Sequence, residues 1–109
     1  MSQEETQKAL RLQPAPRATT IELLFRQFGS VLIPVEAARA TFFRYLSEET
    51  FKPVPGTDRL PIPVTTLEDG NRAIRYFEIH HLAAHIEHRA GMADAKLEKA
   101  LTQPEPEAT

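Results

Sequence analysis

Four histidines fall between positions 80 and 88, in the stretch EIHHLAAHIEHR. His81, His85 and His88 stand at i, i+4 and i+7, and two histidines one helical turn apart can ligate a metal. That chemistry lacks its partners here. HLAAH has no glutamate where zinc-dependent proteases carry one, and the chain contains no cysteine. A solvated or subunit-facing stripe, opposite the apolar face of the helix, accounts for these histidines better, so no metal is expected. Imidazole changes charge near about pH 6.5, which would make an interface at this stripe sensitive to pH. Carboxylates are plentiful without forming a catalytic pair: Glu48 and Glu49 suit a helix start, Glu68 and Asp69 a turn. No Ser-His-Asp order is visible, and four glycines are too few for a phosphate-cradling loop. The residues point to neither an enzyme nor a cofactor.

The basic side chains suggest different chemistry. Arg72 and Arg75 follow the turn signal Asp69-Gly70, where a hairpin could hold them against phosphates. Arg39 and Arg44 belong to one helical segment, Thr50 and Lys52 to the next, and Arg59 precedes LPIPV. Together these seven residues form the expected DNA-contacting set. Phe42, Phe43, Tyr45 and Phe51 are assigned to packing.

The elements that position these side chains follow from pattern. TTIELLFRQFG reads as a helix, with Thr19 and Glu22 at capping-box spacing. Ile21, Leu24, Phe25 and Phe28 share one face of it, and Gly29 is its stop. An extended Val31–Ile33 leads through Pro34 into a helix over about Val35–Tyr45. Ser47 caps a second, short helix that Pro53 and Pro55 end. LPIPV is an edge or irregular strand, because its prolines cannot donate to a ladder. Thr65–Leu67 and Ala73–Phe77 are two extended runs joined through Asp69-Gly70. The last strong helix runs from Glu78 to Arg89 with Gly91 as its stop, burying Ile79, Leu82, Ala83, Ile86 and Ala90. The expected organisation is a flexible arm at 1–18, one domain at 19–91, and a weak helix with a disordered tail at 92–109.

The bulk numbers bound the reading. A chain of 109 residues holds one small core. The polar start MSQEETQKAL has no signal-peptide core, and no apolar run approaches the ~20 residues of a membrane span, so a cytoplasmic protein is expected. The net charge of −2 weighs against strong nucleic-acid binding, because neutralising phosphates supplies most such affinity.

The ordered pieces FGSVLIPVEAARATFF, LSEET, LPIPV and HHLAAHIEHR resemble the pyocin activator family, small phage-related bacterial regulators, over roughly Ile21 to Arg89. The resemblance implies an excisionase- or MerR-like helix-turn-helix that binds double-stranded DNA, often as a homodimer or higher homo-oligomer. The sequence departs from the family pattern in its second helix, SEETFKPVPGTDR, which is acidic and broken by prolines, and in TTLEDGNRAIRYFE, which keeps only two cations. The expected fold is therefore α+β: a small winged helix-turn-helix with an extra N-terminal helix and a two- to three-stranded antiparallel wing. The expected function is activation of phage-related genes. An excisionase-type factor that directs recombination is one alternative. A winged-fold module that has lost DNA binding and works through a protein partner is the other.

Overall fold

In the segments VLIPV and RYFEI every second residue is buried, Ile33 and Val35 in one and Phe77 and Ile79 in the other, the pattern of strands with one buried face. In the computed structural model, which describes residues 15–102, they pair antiparallel as β1 (Leu32–Pro34) and β2 (Tyr76–Glu78), with Ile33 opposite Phe77. Both of these side chains are 0% exposed. The ladder is prolonged at each end, where the Val35 N–H donates to the Arg75 carbonyl and the Ile79 N–H to the Val31 carbonyl. Four helices complete the α+β architecture of the described residues: α1 (Ala18–Phe28), α2 (Val35–Phe42), α3 (Glu48–Phe51) and α4 (Ile79–Thr102).

α1 ends as its sequence dictates, with Gly29 at φ 74° and its N–H on the Phe25 carbonyl at 2.7 Å. Its start differs from expectation. The helix begins at Ala18, so Thr19 and Glu22 form no capping box, and Glu22 pairs with Arg26 at 2.6 Å instead. The first turn is tied across the fold: the Arg17 N–H and Nε both donate to the Glu87 carboxylate of α4, at 3.1 and 3.3 Å. Hydrogen bonds from Thr20 and Arg17 hold that carboxyl below its ordinary pKa range. Leu24 is buried against the core, with Ile21 and Phe28 packed beside it, while Phe25 is 47% exposed.

α2 grows directly out of β1 and ends at Phe42, short of the expected Tyr45. α3 is too short to stand alone, since a single turn cannot repay the cost of nucleation. Three contacts hold it. The Ser47 Oγ accepts the Thr50 N–H at 3.2 Å, Phe51 is buried, and its ring lies 4.9 Å from that of Phe43. Phe42 and Tyr45 pack at the margin and stay 40% and 76% exposed, with the Phe42 ring 6.0 Å from that of Phe28 and the Tyr45 ring 6.4 Å from that of Phe43.

The expected hairpin contracts to a single pair. Thr65 and Tyr76 exchange backbone hydrogen bonds at 2.8 Å, and residues 66–75 form a loop whose turn falls at Gly70–Ala73. Leu67 and Ile74 are largely exposed, so no buried face steadies a longer ladder. Leu60 and Ile62 still reach the core from LPIPV, while Pro61 and Pro63 face outward.

α4 runs straight through Gly91, whose φ is not positive. Ala90, Met92, Ala93 and Ala95 are good helix formers on both sides, and outweigh a glycine cost of about 1 kcal/mol. The weak helix expected after residue 92 is thus the far half of α4; residues 1–14 and 103–109, which hold most of the expected arm and the tail, lie outside the described residues. Glu78 caps the near end, its Oε1 accepting the His80 and His81 N–H groups at 2.9 and 3.2 Å. Partial burial opposes its charge, but the His80 ring and these N–H groups prevail and hold the carboxyl below its usual range.

Removing the Phe77 ring from beneath Ile33 should cost about 3–5 kcal/mol. Urea denaturation of Phe77→Ala should show that loss, whereas Leu67→Ala, at an exposed position, should stay within about 0.5 kcal/mol of the parent.

Candidate nucleic-acid interface

Arg75 joins three parts of the fold. Its carbonyl accepts the N–H that begins α2, and its guanidinium Nη2 donates to the Lys52 carbonyl at the end of α3, at 3.0 Å. The loop 66–75 is thereby fastened beside the short helix. Between them lies a cleft of about 420 Å³, walled by Pro34 and Val35, by Glu48, Phe51 and Lys52, and by Asn71 and Ile74. Thr50 is exposed on α3 and Arg72 on the loop. The structure thus brings Lys52 and Arg75 into one site, with Thr50 and Arg72 on the two elements that form it.

The remaining cations of the expected set are placed differently. Arg39 is an internal strut: its guanidinium pairs with Glu36 at 2.7 Å and donates to the Leu46 carbonyl at 2.6 Å, with 17% of its side chain exposed. It fixes the end of α2 to the turn before α3, and those bonds occupy the groups a phosphate would need. Arg44 is exposed in that turn. Arg59, seven residues after Lys52, lines a second and separate cavity. Sequence reasoning also missed two residues of the first cleft, Glu36 and Glu48. The Arg39 hydrogen bond keeps the Glu36 carboxyl below its usual pKa range, so it is ionised at neutral pH. Lys52 and Arg75 therefore work beside two carboxylates. The i, i+3 spacing of Glu36 and Arg39 was the available signal for that ion pair.

The second cavity, about 600 Å³, opens between the turn after α2, the Leu60–Ile62 segment and α4. His85 faces it. This histidine is half-buried, unlike the exposed His81 and His88, so the three do not form the uniform outward stripe expected of them. The Nδ1 of His85 is buried and has no hydrogen-bond partner among the described residues. Burial first, then the nearby Arg89 and His88, push its pKa below the usual histidine value.

The family model described as pyocin activator protein PrtN matches residues 20–93, and the chain belongs to that family. No curated protein and no solved structure matches significantly. The family is one of regulators, and no helix among the described residues is long and apolar enough to cross a membrane.

The matched span contains His85, whose environment has a measurable consequence. A histidine that is harder to protonate when folded contributes stability that is complete above its unfolded pKa, about 6.5. That contribution is lost as pH falls through that value toward the folded one. The melting temperature should therefore drop between about pH 7.5 and 5.5, and His85→Leu should flatten that part of the profile.

Proposed function

We propose that this member of the pyocin activator family is a DNA-binding activator of phage-related genes, acting in the cytoplasm through a small winged helix-turn-helix at residues 19–91. In this reading α2 and α3 are the two helices of the motif, and the loop 66–75, closed by Thr65 and Tyr76, is the wing. The observation that carries it is the Arg75–Lys52 hydrogen bond, which fastens the loop to the end of α3 and sets cations from both elements on one side. Thr50 and Lys52 face the major groove. Arg72 and Arg75 hold phosphates from the loop, and Arg44 adds a contact from the turn, setting register more than reading sequence. Arg39 is left out of this set because its donors are already engaged. Arg59 is left out because it lies in the other cavity.

A second reading has its own support. Glu36 and Glu48 on the cleft repel phosphates, which favours a winged protein that has exchanged DNA for a protein partner. An excisionase-type role would use the same DNA face and differs in where it binds: repeats beside an integrase site in place of a promoter.

Binding to random-sequence duplex DNA across a range of salt separates the two main readings. The DNA reading expects affinity that falls steeply with salt. Arg44→Gln and Arg72→Gln should each weaken binding to all sequences alike and reduce the salt slope by about one unit. Absence of retention even at low salt would sink it in favour of the protein-partner reading.

A further inference from the structure

Every residue of α4 from Ala93 to Thr102 is exposed, although the segment is not uniformly polar. Asp94, Leu97, Glu98 and Leu101 recur at i, i+3, i+4 and i+7, so two leucines and two carboxylates share one face. Leu97 and Leu101 are 59% and 75% exposed. Lys96 and Lys99 fall away from that face.

The cavity at the base of the same helix has the opposite character. Its floor is apolar, with Phe43, Leu60, Ile62 and Ile86, and the exposed Tyr45 and Met92 extend it outward. At its edge stand Arg59, Arg89 and His88 against one carboxylate, Asp58. Neither Arg59 nor Arg89 has an ion-pair partner among the described residues. In a chain of net charge −2 this is a local surplus of positive charge around an apolar surface.

We propose that the Asp94–Leu101 face of one molecule docks into this groove on a second copy, and the reverse, giving a two-fold dimer. The helix cannot serve its own groove. Ile86 lies in the groove, Leu97 stands about 16 Å further along a continuous helix, and a helix does not fold back on itself. Each copy carries both the acidic, leucine-bearing face and the basic, apolar groove, as a self-complementary two-fold contact requires. Leu97 and Leu101 cover the floor beside Tyr45 and Met92, while Asp94 and Glu98 meet Arg59 and Arg89. The groove shares no lining residue with the Lys52–Arg75 cleft, so the dimer goes beyond the DNA-binding reading and does not rest on it.

Sedimentation equilibrium of the full chain without DNA tests this. The parent should be a dimer in the micromolar range. Leu97→Asp with Leu101→Asp should weaken association at least about tenfold, while circular dichroism shows the helix content retained. Arg59→Glu with Arg89→Glu should do the same, and adding Asp94→Arg with Glu98→Arg to that variant should restore the dimer. A parent that stays monomeric into the high micromolar range overturns the proposal. So does a dimer indifferent to these pairs, which would place the contact elsewhere, or a charge reversal that restores nothing.

Discussion

Ile33 and Phe77 lie 44 positions apart in the chain and meet face to face in the middle of the core. Because α2 begins two residues after Ile33 and α4 two residues after Phe77, this one pair sets where both helices start. It also sets where the loop 66–75 returns, since Arg75 and Tyr76 lead directly into β2. A one-residue slip of this register would turn Phe77 outward and Glu78 inward, which the buried face forbids. The placement of Arg75, and through it of the loop beside Lys52, follows from that short ladder.

Electrostatics then divide the surface. On one side the loop and α3 assemble Lys52 and Arg75 beside Glu36 and Glu48, a site of mixed charge whose cations are offered by position more than by number. On the other, the groove under α4 gathers Arg59 and Arg89 around an apolar floor. Arg39 contributes to neither, since its bonds to Glu36 and to the Leu46 carbonyl fix the geometry of the turn between α2 and α3. A phosphate backbone suits the first surface and an acidic, leucine-bearing helix the second. Under the two proposals above, this division would let one small, slightly acidic chain bind DNA and still associate with itself.

Features set by near neighbours in the chain were legible in the sequence. Gly29 stops α1, Ser47 caps α3, and Pro53 keeps α3 short, each through bonds within a few residues. LPIPV stays out of a regular ladder because Pro61 and Pro63 cannot donate, which was equally local. What depended on distant partners was not legible. Thr19 lost its capping role because Glu87, from α4, reaches the start of α1. The Asp69-Gly70 signal gave a loop in place of a ladder because nothing packs beneath Leu67 and Ile74. Gly91 reads as a stop, yet α4 continues because its neighbours favour helix on both sides. Of the expected site, Lys52 and Arg75 do converge, whereas the separation of Arg59 and the engagement of Arg39 arise only once the turn and the loop are folded.

In the proposed function, DNA is met by the face built from α3 and the loop 66–75. Titrating isotope-labelled protein with a short duplex and following its backbone amides by NMR tests this directly. Shifts concentrated in residues 48–52 and 66–75, with α1 and the far half of α4 unmoved, are the expected result. Shifts confined to α4 and the Arg59 groove would contradict it and move the DNA-binding surface to the opposite side of the fold.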